Sequence, residues 1–335
     1  MKILVVGCGS MGRRRLRNIT RIGGHTLAAF EPSADRRAVV ESEFGIPTFA
    51  DFAVALDWAP AAVIVSTPPN HHSEYAIAAA RRGIHFFTEA SVVLDGLDAL
   101  IEVTRQQAIV GVPSCTQRYH PSVRLMKERI AAGAIGKVLA VTHHVGQYLP
   151  DWHPWEDYRT FYVARRETGA AREIVPYELI WLTYLFGPVT QSVGFSAKLS
   201  DLDTDIDDIY SALLTFESGT HVSMMIEVLS RPAARQARLI GEKGTLIWDW
   251  LNKSVREWTV ETKTWVEYPD PPPIQGPGGE WVAENQYIDE MRGFLDAIAG
   301  IAPFPYTLEE DRAILQTLIA LEYGSLDAST PAVAT

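Results

Sequence analysis

The first residues whose types and spacing could do chemistry are the glycines of Gly7-Cys8-Gly9-Ser10-Met11-Gly12. This run follows a short apolar segment and opens a helical pattern, which is the setting of a dinucleotide-binding turn. The first glycine permits a tight turn, the second lets the backbone approach a pyrophosphate, and the third lets helix and strand pack closely. The phosphates would lie at the helix N-terminus, where free N–H groups favour anions. The predicted contacts are Gly7, Gly9, Ser10, Met11 and Gly12.

An acidic residue stands where such a fold selects its cofactor. Glu31 ends the second predicted strand. A carboxylate there can bind both ribose hydroxyls of NAD and repels the 2′-phosphate of NADP. Ser33, Arg36 and Arg37 follow closely and could soften this preference. The sequence therefore favours NAD over NADP.

A second polar loop, Thr67-Pro68-Pro69-Asn70-His71-His72, follows the fourth predicted strand. Its prolines stop the strand, and Asn70 or Ser73 is suited to cap the next helix. Ligands of parallel sheets bind at the carboxyl ends of the strands, so we expect this loop, and Gln117 after the sixth strand, to line the cofactor crevice. Capping and loop packing are the alternative roles of the two histidines. His143-His144 would point to opposite faces of a strand, and no metal site is expected.

The elements that must position these loops change character along the chain. Strand and helix patterns alternate up to about residue 115, as in a doubly wound parallel sheet. After Pro121 strand patterns follow one another closely, as in an antiparallel sheet, and one helix is expected to begin after Pro176. We predict an α/β Rossmann dinucleotide-binding domain over 1–120. An α+β domain with a large, mostly antiparallel open sheet should follow over 121–335, and its last helix, about 308–323, could pack back on the first domain. Residues 269–279, rich in proline and glycine, are predicted to be a loop.

Composition limits the partners and the compartment. The net charge of −11 argues against nucleic acid or an anionic membrane as the main partner. No apolar stretch approaches the ~18 residues of a membrane span. The two cysteines, Cys8 and Cys115, cannot form a disulfide framework. We therefore expect a cytoplasmic protein.

The glycine motif, the Thr67–His71 segment, the Glu89 segment and an open antiparallel sheet domain together resemble the Gfo/Idh/MocA oxidoreductases. This is the family of glucose–fructose oxidoreductase and inositol dehydrogenase. The resemblance runs from residue 1 to about 325 and is especially close over 147–159. It implies NAD(P)-dependent hydride transfer on a sugar, keto sugar or cyclitol, with Glu89 near the cofactor. It also implies a homo-oligomer, a dimer or tetramer, formed through the sheet of the second domain.

Two departures from the family pattern bear on catalysis. The family usually has Glu-Lys-Pro after the fifth strand, but here the segment is Glu89-Ala90-Ser91, and no lysine lies anywhere between residues 2 and 127. The family also usually places a histidine ten residues before the glycine of Leu-Phe-Gly, where this chain has Tyr177. The usual acidic partner is best matched by Glu173. Some relatives that act on keto sugars carry tyrosine here, so the resemblance implies that Tyr177 is a candidate proton donor.

A tyrosine favours one direction of the reaction. A phenol of pKa about 10 is protonated at pH 7 and can donate to the alkoxide that forms during carbonyl reduction. Alcohol oxidation would need that pKa lowered by about 2–3 units, and the lysine that could lower it is missing. Reduction is therefore favoured, unless Arg118, Arg159 or Arg172 supplies the charge. His153 is the alternative acid or base, because no other histidine lies on the connection before Tyr177.

Polar and aromatic side chains on that connection and after the sixth strand suit a sugar, which binds through hydrogen bonds and ring stacking. Anchoring a long loop is the alternative role of the aromatic residues. Two other functions also stay open: a catalytically silent dinucleotide- or sugar-binding homologue, and an enzyme that uses NAD transiently in glycoside elimination or epimerisation. The predicted substrate contacts are Arg118, Tyr119, Trp152, Asp157, Tyr158 and Arg159.

Overall fold

The structure, a computed structural model, describes residues 1–152, 154, 157–275, 281–282 and 284–324. The chain divides into two compact units, called unit 1 and unit 2 below. Unit 1 comprises Met1–His120 and Pro272–Arg312, and unit 2 comprises Pro121–Pro271 and the residues from Ala313 onward. Within the described residues, no helix is long and apolar enough to cross a membrane.

Unit 1 is built on a six-stranded parallel sheet. Its strands are β1 (Lys2–Val6), β2 (Thr26–Phe30), β3 (Thr48–Phe49), β4 (Ala62–Val65), β5 (His85–Thr88) and β6 (Gly111–Pro113). They lie in the order β3-β2-β1-β4-β5-β6, so the strand order reverses between β1 and β4, which is where such sheets bind ligands. All four residues of β4 are fully buried, because helices cover both faces of a doubly wound sheet.

Five helices connect these strands: α1 (Ser10–Ile22), α2 (Ala34–Phe44), α3 (Phe52–Asp57), α4 (His72–Ala80) and α5 (Leu97–Gln107). The side chain of Ser33 caps α2 by accepting from the Arg36 N–H, and Asp51 caps α3 by accepting from the Val54 N–H. Sequence analysis did not identify α2, α3 or β3. The shortest of these, α3 and β3, carry too few residues to show a hydrophobic period.

Unit 2 carries an eight-stranded sheet. Its strands are β7 (Val138–Gly146), β8 (Val189–Ala197), β9 (Ile209–Phe216), β10 (His221–Glu227), β11 (Ala234–Gly241), β12 (Gly244–Asp249), β13 (Ser254–Thr259) and β14 (Trp265–Pro269). The order is β14-β13-β12-β11-β7-β10-β9-β8, and every neighbouring pair except β7 and β10 is antiparallel. On β7, His143 is buried and His144 is half-buried, as their predicted opposite faces require. The predicted fold class, Rossmann plus a mostly antiparallel open sheet, is confirmed.

Two helices, α6 (Pro121–Ala131) and α7 (Ala170–Phe186), belong to unit 2. The prediction that α7 begins after Pro176 is wrong, because the helix starts six residues earlier and Pro176 lies inside it. Proline costs a helix interior about 3 kcal/mol through its missing N–H. Burial offsets that cost, since Ala170, Ala171, Val175 and Pro176 are all buried.

The last helices are α8 (Asn285–Ile298) and α9 (Leu308–Tyr323), and between β14 and α8 the short strands β15 (Ile274–Gln275) and β16 (Trp281–Val282) pair. Part of the predicted loop over 269–279 is thus strand, and 276–280 lie outside the described residues. The chain divides after His120, where sequence analysis placed the boundary, but residues 272–312 belong to unit 1 rather than to the second domain. Packing explains this difference, because α8 lies against α1 and places Phe294 5.8 Å from Phe87. The first residues of α9 also belong to unit 1.

Candidate active site

In the glycine turn between β1 and α1, Gly7 and Gly12 have no room for a side chain, whereas Gly9 has open space beside it. Gly7 has φ +90°, and a Cβ there would lie 2.8 Å from the Ser66 carbonyl oxygen. A Cβ on Gly12 would lie 1.8 Å from the Gly7 carbonyl oxygen, whereas one on Gly9 would meet nothing within 4 Å. Ser10 and Met11 open α1, whose first N–H groups are free of intrahelical partners. This turn fits the pyrophosphate of a dinucleotide.

Glu31 is buried at the end of β2, beside the glycine turn. Its carboxylate accepts from the Cys8 N–H at 2.9 Å and from the Ser33 N–H at 3.0 Å. Arg36 Nη1 lies 3.9 Å from Glu31 Oε2, and Arg37 Nη1 donates to the Glu31 carbonyl at 2.8 Å. Two backbone donors therefore fix the carboxylate, which keeps lone pairs for ribose hydroxyls.

The loop after β4 differs from its prediction in one detail. Neither Asn70 nor Ser73 caps α4, which begins at His72 behind a short 3₁₀ turn, Pro69–His71. His72 is buried and its Nε2 lies 2.8 Å from the Thr67 carbonyl oxygen, so the ring braces the loop backbone. Burial lowers the pKa of His72, which keeps the ring neutral. Thr67 Oγ1 is buried without a hydrogen-bond partner among the described residues, and a ligand could satisfy it.

Glu89, at the end of β5, belongs to a buried ion cluster that sequence reasoning missed. Arg15 donates to its two carboxylate oxygens at 2.7 and 2.8 Å, and to Glu290 at 2.8 Å. Ser66 Oγ donates to Glu89 at 3.1 Å. Burial alone would lower the pKa of the fully buried Arg15, but the two carboxylates outweigh burial and raise it. No local signal marks this cluster, because Glu290 lies 275 residues from Arg15.

The residues after β6 form a buried 3₁₀ turn, Thr116–Tyr119, which includes Gln117. The Arg118 guanidinium donates to the Pro305 carbonyl, binds Glu310 at 3.0 Å and stacks 4.4 Å from the Tyr306 ring centre. Tyr119 packs 6.2 Å from Phe304. These contacts hold the turn inside unit 1, and the predicted substrate contacts of Arg118 and Tyr119 stay predictions.

In unit 2, Tyr177 is half-buried on α7, one helical turn after Glu173. Residues four apart share a helix face, so the two side chains lie on one side of α7. Tyr162 Oη donates to Glu173 Oε1 at 3.3 Å, while Glu173 Oε2 is buried without a hydrogen-bond partner among the described residues. Burial raises the pKa of Glu173 to about 7, although the Tyr162 hydrogen bond opposes the rise. Glu173 can therefore hold or release a proton near neutral pH.

A buried charged cluster lies next to Tyr177, and sequence reasoning missed it. Glu178 Oε2 lies 2.8 Å from His143 Nε2 and accepts from Trp181 Nε1 at 2.7 Å. Arg235 Nη2 lies 2.9 Å from Glu178 Oε1, and the Arg235 guanidinium carbon lies 5.6 Å from the Tyr177 ring centre. The inward position of His143 on β7 was a partial signal, but its partners are distant in sequence.

The three arginines named as possible cations have carboxylate partners elsewhere. Arg118 binds Glu310 within unit 1. The Arg159 guanidinium donates three hydrogen bonds of 2.7, 2.9 and 3.1 Å to Asp157, and Arg172 donates to Glu322 at 2.6 Å. That one of the three serves Tyr177 stays a prediction, and the structure adds Arg235, whose guanidinium carbon lies 5.6 Å from the Tyr177 ring centre.

The connection that leads to α7 is described only in part. His153 and Trp155 lie outside the described residues. Trp152 and Tyr158 are half-buried, and Trp152 Nε1 has no hydrogen-bond partner among the described residues. Asp157 and Arg159 are exposed and paired with each other. Over the same described part of the chain, no group of three or more His, Cys, Asp or Glu side chains could hold a metal ion.

Comparison with known proteins agrees with both units. Residues 1–112 match the model of the oxidoreductase family with an NAD-binding Rossmann fold, and residues 123–247 match the model of the GFO/IDH/MocA C-terminal domain. Over 308 residues, 90 % of each chain, the sequence is 23 % identical to UDP-N-acetylglucosamine 3-dehydrogenase of Acidithiobacillus ferrooxidans. It is 26 % identical over 257 residues, 73 % of this chain and 72 % of the relative, to inositol 2-dehydrogenase 3 of Saccharopolyspora erythraea.

Solved structures share the fold. An oxidoreductase from Agrobacterium radiobacter, crystallised with NAD⁺, L-tartaric acid and magnesium, superimposes with a TM-score of 0.86 at 14 % identity, covering 98 % of this chain and 97 % of its own. The levoglucosan dehydrogenase complex with NADH gives 0.80 at 18 % identity, over 96 % and 98 % of the two chains. The glycine turn, the Glu31 carboxylate and the matches to both domain models lead to one assignment: the chain belongs to the GFO/IDH/MocA family of NAD-binding oxidoreductases.

Proposed function

We propose that this NAD-dependent oxidoreductase transfers hydride between its cofactor and a sugar-like alcohol or ketone, with Tyr177 as the group that moves the proton. Its curated relatives include dehydrogenases of a nucleotide sugar, of inositols and of levoglucosan, so a sugar, keto sugar or cyclitol is the substrate class. The observation that carries the proposal is the face of α7 that bears Tyr177 and Glu173.

The cofactor half of the mechanism rests on unit 1. Backbone N–H groups at the start of α1 would hold the pyrophosphate across the open side of Gly9, and Glu31 would accept from the ribose hydroxyls. When bound, NADH supplies the hydride for carbonyl reduction. Thr67 and Gln117 lie on the loops after β4 and β6, and both are proposed to line the cofactor site.

The proton half rests on unit 2. During reduction the substrate carbonyl carbon gains a hydride, and its oxygen takes the proton from the Tyr177 hydroxyl. The resulting phenolate regains a proton from solvent, or by way of Glu173, whose pKa of about 7 suits both proton states. In alcohol oxidation the same groups act in reverse. Sequence analysis favoured reduction because the lysine that could lower the Tyr177 pKa is missing, and the oxidative direction requires another cation near the tyrosine.

Tyr177→Phe tests this proposal, because it keeps the ring and deletes the hydroxyl. A panel of sugars, keto sugars, cyclitols and UDP-sugars would first identify a substrate by NADH absorbance in both directions. The variant should then lose about 10²–10⁴-fold in turnover with unchanged NADH affinity. A turnover within a few-fold of the parent would exclude Tyr177 as the proton donor and favour His153. NADH binding without turnover on any substrate would favour the catalytically silent homologue.

The outer face of the unit 2 sheet supports a second copy of the chain as partner. Val193, Phe195, Leu213, Met225 and Ile240 are all more than a third exposed and belong to β8, β9, β10 and β11. Leu213 lies opposite Val193 in the register. Apolar surface that continues across strands marks protein–protein interfaces, and most oligomers are symmetric assemblies of one chain. We propose a dimer or tetramer through this face, working in the cytoplasm, where the free Cys8 and Cys115 would stay reduced.

A further inference from the structure

Three side chains of unit 2 form a continuous series that ends at the Tyr177 ring. His143 on β7 contacts Glu178 on α7, Glu178 pairs with Arg235 on β11, and Arg235 lies against Tyr177. The side chains of His143 and Glu178 are fully buried and that of Arg235 is 19 % exposed. A guanidinium within about 6 Å of a ring centre is attracted to the ring, so the series restrains both Arg235 and Tyr177.

Two hydrogen bonds hold His143 in place at one end of this series. Its Nδ1 lies 2.9 Å from the Gln236 carbonyl oxygen and its Nε2 lies 2.8 Å from Glu178 Oε2. Both ring nitrogens of His143 therefore face oxygen atoms, which fixes the ring between β11 and α7. Burial alone would raise the pKa of Glu178, but Arg235, His143 and Trp181 outweigh burial and hold it at about 2. Glu178 is therefore ionised and pairs with the Arg235 cation that lies beside Tyr177.

We propose that Arg235, held in place by Glu178 and His143, positions Tyr177 and supplies a positive charge beside its ring. This inference rests on the proposed role of Tyr177 in proton transfer. Arg235 is a positioning residue here, because it acts through the tyrosine. Its Nη2 pairs with Glu178 Oε1, and its Nε is buried without a hydrogen-bond partner among the described residues.

A cation within about 4–6 Å of a phenolate oxygen lowers the phenol pKa by about 1–3 units, and we expect Arg235 to act on Tyr177 in this way. Tyr177 can then accept a proton from an alcohol as well as donate one to an alkoxide. Two other charged groups near α7 do not lower the Tyr177 pKa in this proposal. Lys127 of α6 donates to the Tyr184 carbonyl, two turns further along the helix. Glu173, when ionised, would raise the pKa of Tyr177.

Two more titratable groups, Tyr210 and Glu322, take part in hydrogen bonds near α7. Tyr210 of β9 donates to Glu322 at 2.9 Å, and Glu322 also binds Arg172 at 2.6 Å. Arg172 lies five residues before Tyr177 and shares its charge with that carboxylate. The cation of the proposal is Arg235, whose guanidinium carbon lies 5.6 Å from the Tyr177 ring centre.

The test measures the Tyr177 pKa directly and needs no substrate. The full chain is labelled with [¹³Cζ]tyrosine, and the spectrum of Tyr177→Phe assigns the Tyr177 resonance. We expect the parent Tyr177 to titrate below pH 10, and Arg235→Met to raise its midpoint by about one unit or more. Arg235→Lys keeps the charge and should retain most of the lowering.

Arg129→Met is the matched control. Arg129 binds Glu257 through Nε and Nη2, both at 2.6 Å, so the substitution also removes an arginine–glutamate pair of unit 2. It should leave the Tyr177 midpoint unchanged. A parent midpoint at or above 10, or equal midpoints in the parent and a folded Arg235→Met variant, would overturn the proposal. If Arg235→Met does not fold, the titration midpoints of Tyr177 in the parent and in Arg235→Lys test the proposal: both should lie below pH 10.

The two proposals fail separately. Unchanged turnover in Tyr177→Phe would remove Tyr177 from the reaction, whereas the effect of Arg235 on its pKa would still be measured. Conversely, a large loss in Tyr177→Phe together with an unshifted midpoint in Arg235→Met would keep the proposed function and overturn the role of Arg235.

Discussion

The carboxylate of Glu31 illustrates how one residue serves both structure and selectivity. It accepts from the Cys8 and Ser33 N–H groups, which fixes its position at the end of β2. The same fixed charge would meet the 2′-phosphate of NADP in a Rossmann site. Arg36, 3.9 Å from it and largely exposed, is the one described cation within ion-pair distance. Cofactor preference at this position therefore depends on the balance between Glu31 and Arg36.

We predict that the parent binds NADH more tightly than NADPH and that Glu31→Ala narrows the difference. Because alanine leaves the buried Cys8 N–H without its acceptor, the variant should also lose about 1–3 kcal/mol of stability. Glu31→Gln keeps an acceptor for the Cys8 N–H, so it should narrow the difference in affinity between NADH and NADPH with a smaller loss of stability. Calorimetric titration with both cofactors measures the effect, and Glu43→Ala, which removes an exposed partner of Arg17, is the control. Tighter binding of NADPH by the parent would contradict the assignment.

At the scale of elements, the turn from β1 to α1 depends on two glycines for different reasons. Gly12 has no room for a side chain, because the Gly7 carbonyl occupies the position of its Cβ. Gly9 has open space around its Cβ position and an ordinary extended backbone, with φ −67° and ψ −162°. Any residue could adopt that conformation. Glycine at position 12 is therefore required for folding, whereas glycine at position 9 leaves room for a ligand to approach.

Alanine at each position separates these constraints. Gly9→Ala should unfold within about 0.5 kcal/mol of the parent, as an ordinary surface change does, yet lose most of its NADH affinity because the new methyl group stands where the pyrophosphate approaches. Gly12→Ala should unfold at a clearly lower temperature. Thermal unfolding followed by circular dichroism and calorimetry with NADH measure both effects. If Gly9→Ala binds NADH as the parent does, the phosphates do not lie at this turn.

At the scale of the whole molecule, one face of the unit 2 sheet carries exposed apolar side chains among the described residues. Its inner-facing residues, such as Leu214, Met224 and Leu239, are buried, whereas Leu213 on the outer face is 60 % exposed. A face with this much exposed apolar surface is stable in water when a second surface covers it. The proposed assembly follows from that requirement.

Leu213→Glu tests the assembly. Light scattering after size exclusion should give a multiple of the 37.1 kDa chain mass for the parent and a smaller assembly for the variant, because a buried carboxylate opposes the interface. Leu199→Glu is the matched control, since Leu199 is 63 % exposed but precedes β9 rather than lying on the sheet. A monomeric parent, or an unchanged mass in Leu213→Glu, would contradict the proposal.

The sequence by itself determined the features that depend on local backbone chemistry. The glycine spacing of the first turn, the apolar runs of β1 and β4, and the acidic residue that ends β2 could all be identified, because each is a property of neighbouring residues. The sequence also indicated that the usual lysine and histidine are absent. It could not indicate what replaces them.

Only the tertiary structure decided where the buried charges meet. Proline at position 176 predicted a helix start, but packing of Ala170–Val175 extended the helix through it. Arg15 and Glu290 lie 275 residues apart, and His143 and Glu178 lie 35 residues apart. The free energy of a buried charge depends on which carboxylate, cation or hydrogen-bond donor the fold brings to it. No hydrophobic period or residue spacing in the sequence indicates which charged side chains meet in the fold. The contact between Arg235 and Tyr177 was therefore identified only from the packing of β7, α7 and β11.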